Sequence, residues 1–266
     1  MKSRSYILLL TTLFVLRIPN MSAQEVKLPA SLSAPAAVNA PTSKPGLMPI
    51  TKSIETPVLS DPANSNKDRI QVILDFWFMQ TPGSEGLWVD KVNLWFGENT
   101  ETNRLIGALF EDDVHRALSG QLNDWRLTPK GRLALILLTD QFPKRIYSEK
   151  PQAFASESMA KGLVLEGIQK GDDKKLSPIE RAFFYMPLQR FENPDLQNLS
   201  VDLYTRLLND SPEASKPQLE AFLGFAIRNR QIIEHFKRFP NRNRILGRES
   251  TPEEMIFLNR KNLLGN

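Results

Sequence analysis

The stretch that decides the fold is residues 128–142, TPKGRLALILLTDQF. Its apolar run, LALILL at 133–138, is compatible with a buried strand as well as with a buried helix. Thr128 supplies a hydroxyl that can cap a helix, and Pro129 follows at the first helical position, where no N–H is needed. Leucine and alanine are also good helix formers. The stretch therefore predicts a buried helix.

The same start signal recurs downstream. Ser177-Pro178 and Thr251-Pro252 are each followed by a capping-box glutamate, and Asn193-Pro194 is a weaker version. No run of alternating apolar residues is bounded by hairpin turns, so the sequence gives little support for strands. These signals predict an all-α fold, with helices near 129–142, 152–170, 178–190, 194–209, 217–238 and 252–262.

Two further helices are predicted upstream from apolar residues at helical spacing. The first apolar face consists of Ile70, Ile73, Leu74 and Trp77. The second consists of Leu105, Ile106, Leu109, Phe110 and Val114. Gly120 stands where a C-terminal cap would end the second helix.

The N-terminal residues differ in character from the rest. Lys2 and Arg4 precede an eleven-residue apolar run at 6–16, and Ala23 ends a usable cleavage site. This pattern predicts a signal peptide at 1–23 and a periplasmic or secreted protein with no membrane segment after cleavage; an uncleaved anchor is the alternative. Residues 24–66 are rich in Pro, Ala and Ser and predict an extended linker. Residues 67–266 form the predicted helical domain.

The predicted cleavage of the signal peptide lowers the net charge of the chain. The chain carries 34 basic and 30 acidic residues, a formal net charge of +4. Residues 1–23 contain Lys2, Arg4 and Arg17 and no acid, so the mature chain has 31 basic and 30 acidic residues, a net charge of +1. A nearly neutral exported chain without a nucleic-acid motif is not expected to bind nucleic acid.

Several kinds of chemistry are excluded by composition. The chain has no Cys, which excludes disulfides, iron–sulfur clusters, thiolate zinc sites and thiol catalysis. Two His are too few for a three-histidine zinc site. No serine-hydrolase elbow, zincin, phosphate-binding loop, dinucleotide or EF-hand motif is present. The sequence therefore predicts neither a metal nor a cofactor.

Three stretches combine polar and apolar residues in a way that a plain helical surface does not require. Residues 140–147 are expected to end a helix and turn into a basic, aromatic loop. In residues 177–192, Glu180 and Arg181 open a predicted helix that is rich in aromatic residues. Residues 228–248 hold seven basic residues and one acid, a net charge of +6. The candidate ligand-binding residues are Asp140, Gln141, Arg145, Arg181, Arg238, Arg242, Asn243 and Arg248.

The basic stretch permits two interpretations. Arginines can bind a phosphate or carboxylate through paired N–H groups. They can equally pair with carboxylates of the same chain, for which Glu180, Glu192 and Glu253 are the candidates. Interleaved Phe236 and Phe239 suggest partial burial, which favours internal pairing.

At these same residues the chain resembles the family called domain of unknown function 924. The resemblance rests on Leu74-Asp75-Phe76-Trp77-Phe78, Trp95-Phe96, Trp125, residues 133–143, Glu180-Arg181-Ala182-Phe183, Tyr185-Met186-Pro187-Leu188 and the long block at 238–254. It implies a compact, TPR-like, all-helical domain whose activity is unassigned.

The chain departs from the family pattern at three histidines. The family has His where this chain has Arg190, Asn229 and Asn241. Histidine-dependent chemistry would therefore be lost, whereas an activity that needs only Glu and Arg could survive. The alternative is that these histidines belong to a hydrogen-bond network that has been substituted as a unit.

Two functional hypotheses follow. The first is a binding or scaffold module for a peptide, a protein or a small anionic ligand. The second is a hydrolase or transferase in which Glu192 or Glu180 is the general base and arginines orient an anionic substrate. A carboxylate beside several arginines has a lowered pKa and is a weak base, which favours the first hypothesis.

Overall fold

The computed structural model describes residues 62–78, 94–97 and 99–263 of the chain. The predicted signal peptide and most of the predicted linker lie outside these residues. The described residues form an all-α domain. Its helices are α1 (Pro62–Phe78), α2 (Thr100–Leu118), α3 (Pro129–Ile136), α4 (Phe142–Ile146), α5 (Glu157–Lys170), α6 (Pro178–Tyr185), α7 (Pro194–Asp210), α8 (Lys216–Phe236) and α9 (Pro252–Leu263).

The observed helix boundaries follow the sequence signals closely. Thr128 caps α3 by accepting a hydrogen bond from the Gly131 amide at 3.1 Å. Ser177 and Glu180 form the predicted capping box of α6, and Asn193 caps α7. Helix α1 begins at Pro62, so residues 62–66 are helical although the sequence placed them in the linker. Short 3₁₀ turns occupy the start of the predicted segment 152–170 and the end of 178–190.

The stretch at 128–142 is the centre of the domain, as its apolar run predicts. Every residue from 131 to 143 is buried, and α1, α2, α5 and α6 pack around α3 and its continuation. Trp77 lies against the Phe142 ring at 5.4 Å and against the Phe183 ring at 5.6 Å between centroids. Aromatic side chains of α1, α4 and α6 therefore meet in the core, beside the buried aliphatic residues of α3.

A π-helical turn at Leu137–Gln141 joins α3 to α4. Pro143 has no N–H to donate to the carbonyl of Thr139, four residues earlier. The Ser156 hydroxyl donates to that carbonyl at 2.6 Å instead. The wider π turn and this outside donor together allow the helix to continue through a proline.

Two expectations from the sequence are wrong, one about a loop and one about a helix face. Residues 142–146 are helical rather than a loop, because the π turn carries the helix past Pro143. On α2, Leu105 and Leu109 are exposed, and the buried face instead contains Asp113 and Ala117 together with Ile106, Phe110 and Val114. Arg69 of α1 forms an ion pair with Asp113, which explains why this face accepts a carboxylate.

Helices α7 and α8 form a hairpin, joined by a short connection at residues 211–215. They pack extensively against each other, and α6 packs against both. Tyr204 of α7 donates a hydrogen bond to the Ala182 carbonyl of α6 at 2.6 Å. The hairpin also packs against the turn at Leu188–Arg190, and Met186 and Arg190 contact Gln141 of the π turn.

Candidate functional site

Five of the six arginines of the basic stretch are paired with carboxylates, and four of these carboxylates lie outside the stretch. Arg238 binds Glu254 through two hydrogen bonds of 2.6 and 2.7 Å. Arg248 binds Glu192 through two hydrogen bonds of 2.7 and 2.9 Å. The charge of +6 that is local in sequence is therefore largely neutralised in space. The remaining pairs are Arg230 with Glu234, Arg242 with Glu157, and Arg244 with Glu149.

The expected partners of these arginines are correct only in part. Glu192 pairs with Arg248, as the sequence suggested. Glu180 instead pairs with Lys130 and caps α6, and Glu253 pairs with the exposed His235. The interpretation of an internal network describes Arg238 and Arg248 well, because both guanidinium groups are held by carboxylates.

Glu254 organises the start of α9. Its carboxylate accepts hydrogen bonds from Arg238, from the Asn243 side chain at 3.1 Å and from the Thr251 amide at 2.8 Å. The Arg238 hydrogen bond outweighs burial and lowers the pKa of Glu254 to about 2. Asn243 is buried and also donates to the Ser250 hydroxyl. Arg238 and Asn243 therefore stabilise the C-terminal segment.

Glu192 has the contacts of a structural carboxylate. Besides Arg248, it accepts a hydrogen bond from the Phe239 amide at 2.8 Å. Burial by itself would raise the pKa of Glu192, but the Arg248 and Phe239 hydrogen bonds lower it below the ordinary value. A carboxylate held ionised in this way is a poor general base.

A second set of charges meets at the π turn. Asp140 is fully buried and accepts a hydrogen bond from the Lys144 ammonium at 2.6 Å. The Arg190 Nε lies 3.5 Å from the other Asp140 oxygen. Gln141 donates to Asp140 at 2.5 Å. The π turn thus places a carboxylate and an amide next to each other inside the domain.

Glu157 and Arg242 complete this set. Glu157 lies 3.2 Å from the Lys144 ammonium and accepts a hydrogen bond from Arg242 at 3.0 Å. The Arg242 guanidinium also donates to the Arg190 carbonyl at 2.8 Å. It lies 4.8 Å from the ring centroids of Phe154 and Phe239 alike, an arrangement that stabilises a cation. We call Asp140, Lys144, Glu157, Arg190 and Arg242 the π-turn cluster.

Burial and charge act in opposite directions within the π-turn cluster. Burial would raise the pKa of Asp140, but Arg190 and Lys144 together lower it below the ordinary value. Burial lowers the pKa of Lys144, and Asp140 opposes that shift only in part. The Asp140–Lys144 ion pair is thus a buried pair whose charges depend on each other.

Arg190 differs from the other cations of the cluster. Its side chain is 22% exposed. Its two hydrogen bonds run from one terminal nitrogen to neutral acceptors, the Gln141 amide oxygen at 3.3 Å and the Met186 sulfur at 3.2 Å. A guanidinium has five N–H donors. Within the described residues, Arg190 therefore retains donor groups that no protein acceptor uses.

The structure separates three predicted residues from the π-turn cluster. Glu180 lies at the start of α6, where it binds Lys130. Arg181 lies beside Asp173 and the Tyr185 hydroxyl. Arg145 donates to the carbonyls of Leu94 and Gly97 and so anchors the segment at 94–97. Asp140, Gln141 and Arg242 meet in the cluster, whereas Glu192, Arg238, Asn243 and Arg248 form the neighbouring network.

Sequence reasoning missed Glu157 as a site residue. It is the first residue of α5, a position where an acid is common because it interacts favourably with the helix dipole. Nothing local distinguishes it from an ordinary capping acid. Arg190 could have been recognised from one departure, because it stands where the family that this chain resembles has histidine. Within the described ranges, no three acidic or histidine side chains come together as metal ligands.

Comparisons with known proteins place the chain in a family. A family described as "Bacterial protein of unknown function (DUF924)" matches residues 73–262. A solved structure of a protein of unknown function from Agrobacterium tumefaciens, ATU0120, is similar with a TM-score of 0.61 and 32% sequence identity. The similarity covers 75% of this chain and 99% of that one. No curated protein matches the chain. The chain therefore belongs to the DUF924 family.

Proposed function

We propose that this protein is a binding module that captures a small anionic ligand at the π-turn cluster. The observation that carries the proposal is the set of unused donors on Arg190, a partly exposed guanidinium. Among the described residues its hydrogen-bond acceptors are neutral, and its ion pair with Asp140 is long, at 3.5 Å. Arginine N–H groups form strong, directional hydrogen bonds with carboxylate and phosphate oxygens. An anion at this position would satisfy donors that the fold leaves free.

The surroundings of Arg190 support this proposal. Its nearest carboxylate, Asp140, already accepts a hydrogen bond from Lys144 at 2.6 Å. One negative charge is therefore shared between two cations. π-helical turns are found frequently at functional sites, because the extra residue redirects side chains that a regular helix would place elsewhere. Here the π turn directs Asp140 and Gln141 to Arg190.

The enzymatic alternative receives less support from these contacts. Glu192 is held by Arg248 with a lowered pKa. Glu180 is buried and bound to Lys130 and to the Ser177 amide. Neither carboxylate approaches Arg190 within hydrogen-bond distance. A substrate held at Arg190 would thus have no free carboxylate base next to it.

The wider architecture and the location belong to the same proposal. Helices α6, α7 and α8 pack against one another. We propose that this stack is TPR-like and that the function involves neither nucleic acid nor a cofactor.

We also propose that the protein is exported to the periplasm or the medium after cleavage at Ala23. Cell fractionation and sequencing of the mature N-terminus test that part; a chain in the cytoplasm with residues 1–23 intact contradicts it. No helix among the described residues has the length and apolar character to cross a bilayer.

Calorimetric titration of the purified protein tests the binding proposal. The probes are acetate, succinate, sulfate and glycerol phosphate, and the variants are Arg190→Gln and, as a control, Arg244→Gln. Arg244 is also an arginine but pairs with Glu149 on the surface. We expect at least one probe to bind wild type and Arg244→Gln with equal affinity. Arg190→Gln should bind that probe at least about tenfold more weakly, because a hydrogen bond to a charged group is lost. The proposal is wrong if no probe binds, or if Arg190→Gln binds as wild type does while circular dichroism shows it folded.

A further inference from the structure

Lys161, a lysine that forms no ion pair among the described residues, contacts the ring of Phe191, the residue that follows Arg190. Lys161 follows Glu157 by one turn of α5, so both side chains lie on the same face of that helix. The Lys161 ammonium lies 4.9 Å from the centroid of the Phe191 ring. Phe191 is the next residue after Arg190. Among the described residues, Lys161 forms no ion pair, and its one electrostatic contact is the cation–π contact with the Phe191 ring.

Counting Lys161 with the π-turn cluster gives a definite excess of charge. Lys144, Lys161, Arg190 and Arg242 carry four positive charges, and Asp140 and Glu157 carry two negative ones, which leaves +2. The adjacent pair of Glu192 and Arg248 adds nothing to this sum, because its charges cancel. A ligand with one negative charge would neutralise half of the excess, and a compact dianion would neutralise all of it.

We infer that the ligand of this site carries a phosphate monoester group, an inference that rests on the proposed anion site. A phosphate monoester carries a charge of about −1.5 to −2 near neutral pH on three acceptor oxygens. A carboxylate or a phosphate diester carries one negative charge. Arg190 supplies several N–H donors and Lys161 supplies three. In this inference one tetrahedral group binds both cations, since Asp140 and Glu157 are already bound by Lys144 and Arg242.

The phosphate chemistry itself provides the test. The second ionisation of a monoester has a pKa of about 6, so its dianionic fraction rises about tenfold from pH 5 to pH 7. Dimethyl phosphate is a diester that stays a monoanion, and sulfate stays a dianion, across this range. Calorimetric titration of the purified protein with glycerol 3-phosphate, dimethyl phosphate and sulfate at both pH values therefore separates ligand charge from protein charge.

We expect glycerol 3-phosphate to bind about tenfold more tightly at pH 7 than at pH 5, and sulfate to change much less. Dimethyl phosphate should bind more weakly than glycerol 3-phosphate at pH 7. The Lys161→Gln variant should remove most of this preference for the monoester, whereas Lys174→Gln, at an exposed lysine on the 3₁₀ turn before α6, should keep it.

Equal binding of the monoester and the diester at pH 7, or an unchanged preference in Lys161→Gln, overturns the phosphate inference. If anion binding in that case still depends on Arg190, the proposed function remains supported although the phosphate inference is wrong. If none of the probes binds at either pH, both the inference and the proposed function are wrong. Circular dichroism on each variant establishes that a lost affinity is not a lost fold.

Discussion

Gly167 lies directly against the buried guanidinium arm of Arg132. A Cβ placed on Gly167 would come within 2.5 Å of the Arg132 Cδ. Arg132 is fully buried and binds Asp172 at 3.0 Å and Glu166 at 3.2 Å. The close approach of α3 and α5 that this glycine permits places the arginine among its carboxylates. A larger residue must push the two helices apart or displace the ion pairs.

The first prediction concerns this contact. We expect Gly167→Ala to lower the free energy of unfolding by about 1 to 3 kcal/mol, because the methyl group overpacks the interface. A methyl group on Gly162, in the same helix, would meet no atom within 4 Å. Gly162→Ala should instead stabilise the protein by about 0.5 to 1 kcal/mol through helix propensity. Urea denaturation of both variants checks the prediction, and effects of the same sign would contradict it.

The second prediction concerns the π turn. Ser156 is the donor that replaces the missing amide of Pro143 at the Thr139 carbonyl. Ser156→Ala would leave that carbonyl buried without its donor, at a cost of about 1 to 3 kcal/mol. Ser158→Ala, at an exposed position two residues later, should change stability by less than about 0.5 kcal/mol. Thermal and urea unfolding compare the two; equal losses would show that Ser156 has no special role at the proline.

The third prediction uses the pKa of Glu254, which the Arg238 hydrogen bond lowers from 4.5 to about 2. A lowered folded-state pKa stabilises the protein above the unfolded-state value, and this stability is lost as the pH falls through the folded-state value. Glu254→Gln should therefore be less stable than wild type at neutral pH, and the difference should close between pH 4.5 and 2. Glu253→Gln is the control, since the exposed His235 is the only side chain that Glu253 binds among the described residues. A difference that stays constant with pH would contradict the assignment.

The helices were predictable because their signals are local. Thr128, Ser177, Asn193 and Thr251 each lie within three residues of the amide they cap, so a short window contains the whole interaction. The π turn was not predictable in the same way. Pro143 indicates a helix end by the ordinary rule, and the donor that overrides the rule, Ser156, is thirteen residues away in a different element.

The candidate site was predictable only in part, because ion pairing is a tertiary property. Arg242 lies 85 residues from Glu157 in the chain, and Arg248 lies 56 residues from Glu192. A basic stretch therefore looks like a ligand site in the sequence whether or not distant carboxylates neutralise it. Lys161 is the opposite case, because its sequence neighbours suggest an ion pair that does not form among the described residues. It stands four residues after an acid, which suggests an ordinary surface pair, yet Glu157 is taken by Lys144 and Arg242.

The fourth prediction decides whether Arg248 belongs to the internal network or to the ligand site. A double-mutant cycle with Glu192→Gln and Arg248→Gln measures the coupling between the two side chains. We expect about 1 to 3 kcal/mol, because the pair is bidentate and partly buried. Arg104 and Glu101 form a control pair that is exposed on α2 and should show almost no coupling. If the Glu192–Arg248 coupling is as small as that of the control pair, the network does not hold Arg248, and its guanidinium is free for a ligand. A large coupling, with anion binding unchanged in Arg248→Gln, would limit the binding site to the cations around Arg190.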